Sequence, residues 1–359
     1  MTSFPAHPSQ VTTEWLSDVL GHVVAGFDST PVGEGVGMLG VIARLQLRYA
    51  GPHDNAPASV VVKCATDVAA NRAVAMGFRV YEREVKFYQR LADKVGAGVP
   101  LCYFAEFDDE SGDFMLVLED FTGYRAGDQV EGCGVEDAEA CIDVMARLHA
   151  TFWNADSHPE LDWMLADFQV DGELHRPGIS GGFGVGWDPC ISIFGAHIAP
   201  EIIEAGPRFA ANVNELHLRM GDGAKTLIHG DFRLDNLLFG QTPEDHPMVL
   251  LDWQGTLVSK GTQDVAYLLS QNLRTPERRT HELALVTRYH EQLVKHGVTN
   301  YSFEQAWADY RLSVLYTFAY AVVIGGTLDP SNERGRAFMA QLIDRSSTTV
   351  MDLQLLKIL

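Results

Sequence analysis

Residues 227–239 read LIHGDFRLDNLLF, and residues 248–253 read MVLLDW. Each stretch contains a short apolar run of the kind that forms a buried strand. Asp231 follows the first run, Asn236 lies five residues after Asp231, and Asp252 ends the second run. Two strands that direct acidic and amide side chains toward one place predict a functional site.

The residue types in this pattern suit phosphoryl transfer. That reaction needs a carboxylate that orients a substrate hydroxyl and accepts its proton, and it needs an amide and a second carboxylate that hold Mg²⁺ at nucleotide phosphates. Carboxylate and carbonyl oxygens are the ligands that this hard cation prefers. The alternative is that Asp231, Asp235 and Asn236 are ordinary turn and cap residues of a loop.

The same residues resemble a known catalytic core. His229, Gly230, Asp231 and Asn236, with Asp252 on the next strand, match the motifs of the aminoglycoside phosphotransferase and choline kinase group of small-molecule phosphotransferases. Within that group, HGDFRLDNLLF, LDWQ and the segment around Lys63 are most similar to the ecdysteroid kinase-like branch and to kinase-like domains fused to acyl-CoA dehydrogenases. The resemblance extends over about residues 32–273 and is specific mainly in the catalytic core.

Periodicity separates the chain into a strand-rich and a helix-rich part. Alternating apolar residues predict strands at 41–49, 59–63, 101–107 and 114–118, with one helix among them at 79–94. Apolar residues at helical spacing predict later helices at 135–153, 200–220, 264–273, 277–296, 303–323 and 334–355. We therefore expect an α+β protein with a domain boundary near Thr122.

The resemblance implies a protein-kinase-like fold of two lobes. Residues 1–121 would form a nucleotide-binding lobe with an antiparallel sheet and a helix, and residues 122–359 a mainly helical lobe with the catalytic loop and the acceptor pocket. The implied enzyme is a kinase that moves the γ-phosphate of ATP to an alcohol, with ATP and Mg²⁺ as cofactors.

The resemblance also implies roles for single residues of the catalytic loop. Asp231 would be the catalytic base, and Asn236 and Asp252 would bind Mg²⁺. Arg233 would neutralise charge on the transferred group, or alternatively pair with Asp235. A later acid, Asp264, either braces the catalytic loop or caps a helix.

A lysine and a glutamate in the first lobe form a second candidate pair. Lys63 ends an apolar strand, and Glu84 shares the apolar face of the predicted helix with Tyr81 and Tyr88 by i, i+3 and i+4 spacing. A buried, unpaired acid costs several kcal/mol, so Glu84 needs a partner, and Lys63 is the natural candidate. The resemblance implies that this lysine contacts the nucleotide phosphates. The alternatives are a strand exit for the lysine and a surface position for the acid.

Other nucleotide contacts are predicted from position. Gly35 and Gly37 lie in a glycine-rich run before an alternating strand, which favours a hairpin over phosphates, although a flexible turn is also consistent with the run. A dinucleotide-binding fingerprint is disfavoured because its glycines open a helix. Glu119 and Phe121 lie where the resemblance places the hinge, whose backbone binds adenine.

Charge and cysteine content limit the partners. The chain has 359 residues and a formal net charge of −21, and such an acidic protein repels nucleic acid and anionic lipid surfaces. We therefore expect a small-molecule hydroxyl acceptor, no nucleic acid and no membrane, and we leave the oligomeric state open. Five cysteines without a Cys-x-x-Cys pair, and no signal-like N-terminus, predict a cytoplasmic protein with reduced thiols.

The segment at about residues 155–200 is predicted as a loop insert. It combines many glycines with Trp163, Phe168, Phe183, Trp187 and Phe194. Such rings would line a pocket for a bulky, mostly apolar, steroid-like alcohol, or stack on a quaternary ammonium group. A lid without substrate contact is the alternative.

We predict the steroid-like alcohol as the acceptor and keep two alternatives. One is an aminoglycoside or choline-type amino alcohol, and the other is a pseudokinase-like module that binds nucleotide without catalysis. A protein kinase is disfavoured because residues 252–254 read DWQ rather than DFG, and no Ala-Pro-Glu segment follows.

Overall fold

The computed structural model describes residues 4–32, 39–51, 54–95, 98–327 and 333–359. Its internal contacts divide the chain into two compact units. The first comprises Met1–Asp93, Val99–Tyr124 and Leu251–Gly255, and the second comprises Lys94–Gly98, Arg125–Leu250 and Thr256–Leu359. The lobe boundary after residue 121 stays a prediction, because a division by contacts does not test which segments fold together.

The first unit is built around an antiparallel sheet. The elements in chain order are α1 (Thr13–Leu20), β1 (Val24–Pro31), β2 (Gly40–Tyr49), β3 (Ser59–Ala65), α2 (Ala69–Gly77), α3 (Val80–Arg90), β4 (Cys102–Phe107) and β5 (Phe114–Glu119). The strands are ordered β1-β2-β3-β5-β4, and each neighbouring pair is antiparallel. The predicted antiparallel sheet is thereby confirmed.

Burial along β2 and β3 follows from their place in the sheet. In β2, Ala43, Leu45 and Leu47 are buried, and the arginines and glutamine between them are exposed, as the alternation predicts. The next strand, β3, is central and is buried along nearly its whole length. A fully buried strand brings the polar end of Lys63 into the interior, where it needs charged partners.

Three elements of this unit were not predicted, so the expectation of a single helix beside the sheet was wrong. β1 is an edge strand that is mostly exposed, so it lacks the apolar alternation that reveals a strand. α1 and α2 are short, with Leu16 and Ala75 as their fully buried residues. Short helices with so small an apolar face leave little periodic signal.

The second unit is mainly helical, as predicted. The elements are β6 (Arg125–Ala126), α4 (Val135–Thr151), α5 (Asp162–Asp167), α6 (Gly182–Phe194), α7 (Pro200–Glu204), α8 (Gly206–Met220), β7 (Thr226–Ile228), β8 (Leu237–Phe239), β9 (Met248–Leu250), β10 (Leu257–Ser259), α9 (Thr262–Tyr267), α10 (Thr275–Lys295), α11 (Phe303–Thr327) and α12 (Glu333–Asp352). The strands pair in two small antiparallel groups, β10-β7 and β6-β8-β9. A 3₁₀ turn at Leu234–Asn236 and a π-helical turn at Leu268–Asn272 follow β7 and α9 respectively.

The insert is helical, so the prediction of a glycine-rich loop was wrong. Its glycines permit a close approach between α6 and α11, because a Cβ at Gly326 would overlap the carbonyl oxygen of Gly186. Three of the predicted pocket rings, Phe168, Phe183 and Phe194, are buried in the interior instead. Glycine lowers helix propensity, but here the packing against α11 outweighs that cost.

Two further features bear on the predicted setting. All five cysteines carry free thiols. In the part of the chain that the structure describes, no helix has both the length and the apolar composition needed to cross a bilayer.

Candidate active site

The first unit brings together Lys63, Glu84 and Asp252. Lys63 Nζ lies 2.8 Å from Glu84 Oε1 and 2.9 Å from Asp252 Oδ1. Lys63 is 5% exposed and Glu84 1% exposed, whereas the Asp252 side chain is 20% exposed. The ion pair inferred from the helix pattern is therefore present, with a second carboxylate on the same ammonium group.

The three charges of this cluster shift one another. Burial alone would lower the pKa of Lys63, but Asp252 and Glu84 outweigh it, so the pKa is raised. Burial raises the pKa of Glu84, and the charge of Asp252 raises it further, while Lys63 opposes both effects. Lys63 therefore stays charged, whereas the pKa of Glu84 is raised overall, and Lys63 only limits the rise.

The backbone at Asp252 is unusual. Its φ of +62° lies in the left-handed region, which costs a non-glycine residue about 1–3 kcal/mol. The next residue, Trp253, is fully buried and stacks on Phe87 of α3, with 3.9 Å between ring centroids and 8° between planes. We infer that this packing holds the strained turn, a role that the residue pattern around Trp253 did not reveal.

In the second unit, Asp264 holds the backbone of the predicted catalytic loop. Its carboxylate accepts hydrogen bonds from the N–H of His229 at 2.7 Å and of Gly230 at 2.9 Å. Gly230 has a φ of +81°, which suits glycine and turns the chain toward Asp231. His149 Nε2 lies 3.3 Å from the same carboxylate. Of the two roles considered for Asp264, the brace is the one observed.

Three side chains surround the Asp231 carboxylate. Asn236 Nδ2 donates to Asp231 Oδ2 and to the Asp231 carbonyl oxygen, both at 3.0 Å, and Arg233 Nε lies 3.4 Å from Oδ2. The buried phenol of Tyr267 lies within reach of the Asp231 charge, and burial together with this carboxylate raises the pKa of Tyr267. Tyr267 was missed because a tyrosine in an apolar helix pattern looks like a core residue.

The segment at the end of β5, where the hinge is predicted, is fixed by its own side chains. Glu119 Oε2 accepts from the N–H of Leu101 at 3.1 Å. Asp120, with a side chain only 3% exposed, accepts from Arg44 Nε at 2.7 Å and from Ser59 Oγ at 2.6 Å. Phe121 follows and makes an edge contact with Tyr124. Asp120 thus ties this segment to β2 and β3 through its side chain, a role that no local pattern around it indicates.

Two of the predicted nucleotide contacts have no described geometry. Gly35 and Gly37 lie outside the described residues, so their role in a phosphate hairpin stays a prediction. In the described ranges, no group of three or more His, Cys, Asp or Glu side chains is arranged to hold a metal ion.

Comparison with protein families gives a match to the ecdysteroid kinase-like family over residues 34–161 and 194–299. The chain belongs to the ecdysteroid kinase-like family. The matched residues include Lys63, Glu84, Asp231, Asn236 and Asp252. Family membership confirms the resemblance and the predicted enzyme class, a small-molecule kinase. A search of curated proteins found no match.

Solved structures share the fold at low sequence identity. The GDP complex of wild-type aminoglycoside 2'-phosphotransferase-IIIa gives a TM-score of 0.57 at 12% identity and covers 90% of this chain and 94% of that one. The Plasmodium vivax ethanolamine kinase gives 0.55 at 13% identity, with coverage of 92% and 84%. The Cryptosporidium parvum choline kinase gives 0.54 at 10% identity, with coverage of 92% for each chain. The protein-kinase-like fold is thereby confirmed.

Proposed function

We propose that this ecdysteroid kinase-like protein catalyses ATP + R–OH → ADP + R–O–phosphate, with Asp231 as the base. The observation that carries the proposal is the Asp231 carboxylate, oriented by Asn236 and set on a backbone that Asp264 fixes. A hydroxyl oxygen of the acceptor bonds to the γ-phosphorus, the bond from phosphorus to the β–γ bridging oxygen breaks, and the hydroxyl proton passes to Asp231. Such catalysis depends on positioning and electrostatics.

Nucleotide binding is proposed for residues of the first unit. Lys63, ionised beside Glu84, would bind the phosphates, as in other kinase-like phosphotransferases. Glu119 and Phe121 would present backbone groups to the adenine, and Gly35 and Gly37 would cover the phosphates. The firm attachment of the hinge through Asp120 supports this assignment.

Asn236 and Asp252 are the proposed Mg²⁺ ligands. Both offer the oxygen donors that Mg²⁺ prefers, and the two hydrogen bonds of Asn236 use Nδ2, not Oδ1. Bound Mg²⁺ would offset negative charge on the nucleotide phosphates. Arg233 would act beside it on the transferred group, since its guanidinium lies at the Asp231 carboxylate.

The proposed acceptor is a bulky, mostly apolar alcohol of steroid-like shape. The name of the matched family supports this choice. The insert no longer supports it, because Phe168, Phe183 and Phe194 are core residues. An aminoglycoside or a choline-type amino alcohol is the second candidate, and the structural relatives named as choline, ethanolamine and aminoglycoside kinases favour it.

A nucleotide-binding module without catalysis is the third candidate. It is disfavoured because Lys63, Glu84, Asp231, Asn236 and Asp252 are all present. Because the chain is acidic, we expect neither nucleic acid nor a membrane as a partner. Because its thiols are free, a cytoplasmic location stays our prediction.

One experiment tests the reaction and the acceptor class together. The protein is incubated with Mg²⁺ and γ-labelled ATP or GTP and, separately, with polyhydroxylated steroids, aminoglycosides, choline, ethanolamine and casein. Label transfer to a steroid, absent in Asp231→Asn, is the expected result. Transfer only to an aminoglycoside or an amino alcohol would replace the acceptor proposal, and nucleotide binding without transfer to any acceptor would favour the non-catalytic module.

A further inference from the structure

Helix α12 reaches the catalytic loop although it lies beyond the residues that match the family. Arg334, in its first turn, bonds to Asp235 Oδ1 through one terminal nitrogen and to Asp128 Oδ2 through the other, each at 3.1 Å. Asp235 directly precedes Asn236, the residue that donates to the Asp231 carboxylate. A single arginine therefore joins α12 to the proposed catalytic machinery.

The two carboxylates that Arg334 binds already hold the backbone near β6. Asp235 Oδ1 accepts from the N–H of Gln129 at 3.1 Å, and Asp128 Oδ1 accepts from the N–H of Val130 at 2.8 Å. Arg334 thus closes a connection between the catalytic loop and the segment 128–131. The side chain of Asp235 is only 12% exposed but that of Arg334 is 47% exposed, so the pair adds little to stability, and its value lies in fixing the position of Asp235.

A second residue of α12 contacts the loop from the same side. Phe338 lies one helical turn after Arg334, and the guanidinium carbon of Arg233 is 5.9 Å from its ring centroid. Arg233 in turn has its Nε 3.4 Å from Asp231 Oδ2. Phe338 therefore supports the cation that contacts the proposed base.

The far part of α12 anchors the helix to the same neighbourhood. Arg345 is buried and donates to the carbonyl oxygens of Gln129 at 2.6 Å and Val130 at 2.8 Å. Three charge-assisted contacts from Arg334 and Arg345 to the segment 128–131 leave α12 little freedom to shift. Asn272 of the π-helical turn completes the support, because its Oδ1 accepts from the N–H of Leu234 at 2.9 Å.

We propose that Arg334 and Phe338 are positioning residues for phosphoryl transfer. They fix Asp235 and Arg233, and through these residues the orientation of Asn236 and Asp231. The inference rests on the proposed function, in which Asp231 is the base. Displacing a catalytic group by about 1 Å costs on the order of 100-fold in rate, so a modest loosening of the loop is measurable.

The kinetic test compares Arg334→Met with Arg336→Met. Both variants remove one charge from the same helix, but Arg336 is exposed and has no hydrogen bond or ion pair to a described residue. With the acceptor that the panel identifies, we expect kcat of Arg334→Met to fall about 10- to 100-fold with the KM for ATP within about twofold, and Arg334→Lys to recover part of the loss. Unchanged kcat in Arg334→Met, or an equal loss in Arg336→Met, would overturn the proposal.

A second measurement does not depend on activity. Hydrogen–deuterium exchange of peptides spanning 231–237 is expected to accelerate in Arg334→Met and in Phe338→Ala, and to stay at the wild-type rate in Arg336→Met. If wild-type protein phosphorylates no acceptor, the proposed function fails, while exchange still decides whether α12 holds the loop. Should Arg334→Met fold poorly, Asp235→Asn removes the same ion pair from the loop side, and unaltered exchange there refutes the inference.

Discussion

Replacing Lys63 with methionine should strengthen the dependence of the protein's stability on pH. The substitution keeps the length of the side chain but leaves Glu84, which is 1% exposed, without its cation. Removing one partner of a buried ion pair costs about 3–5 kcal/mol, because the remaining charge is uncompensated. Asp252 also loses a partner, but its side chain is 20% exposed, so water compensates part of that loss.

The pH dependence has a definite sign. Burial and Asp252 already raise the pKa of Glu84, and removing Lys63 raises it further, because Lys63 is the group that lowers it. The folded protein then holds the proton more tightly than the unfolded chain does. The associated stability is fully present below the ordinary glutamate pKa of about 4.3 and is lost as the pH rises through the raised, folded-state value.

Urea denaturation followed by circular dichroism measures this effect at pH 6 and pH 8.5. Lys63→Met should lose about 3–5 kcal/mol at pH 8.5 and clearly less at pH 6, and the double variant Lys63→Met/Glu84→Gln should regain stability at pH 8.5. Lys86→Met is the matched control, since Lys86 lies on α3 and pairs with Glu82 in a more exposed position. We expect it to cost no more than about 1 kcal/mol. Equal stability of the single and double variants at pH 8.5 would refute the reasoning.

Three further substitutions probe the proposed roles. Asp231→Asn should lower kcat by about 10²- to 10⁴-fold with nucleotide affinity little changed, and wild-type turnover in this variant would exclude Asp231 as the base. Asp252→Ala should weaken Mg²⁺–ATP binding by at least about tenfold and abolish transfer, as measured by calorimetry and label transfer. Asp120→Asn should raise the KM for ATP by roughly tenfold, or ~1.4 kcal/mol, at unchanged kcat, because its bonds to Arg44 and Ser59 hold the hinge. If the KM for ATP of this variant equals the wild-type value, Asp120 has no role in nucleotide binding.

The parts of the site that could be predicted rest on local patterns. The loop from His229 to Asn236 is short, so its residue types and spacing define its chemistry. Glu84 could be paired with Lys63 because a buried acid on an apolar helix face needs a cation. In both cases, a few neighbouring residues carry enough information.

The parts that could not be predicted depend on distant contacts. Arg334 meets Asp128 and Asp235, which lie 206 and 99 residues away, and nothing near Arg334 in the sequence points to either. The loop prediction for the insert was wrong for the same reason. Its glycines disfavour a helix in isolation, and the surface of α11 that compensates for them belongs to a remote segment.

Because Gly186 and Gly326 lie so close together, positions in the insert differ in how well they tolerate mutation. A Cβ at Gly326 would overlap the Gly186 carbonyl oxygen and push the two helices apart, whereas a Cβ at Gly186 would lie 3.1 Å from the Val322 carbonyl oxygen, a tight contact that requires a small shift. Val185, the immediate neighbour of Gly186, is 71% exposed and is open to nearly any residue that forms a helix. Mutant libraries of this segment should keep the two glycines and randomise the exposed face of α6. Substitutions there change the surface chemistry with little effect on the stability of the fold.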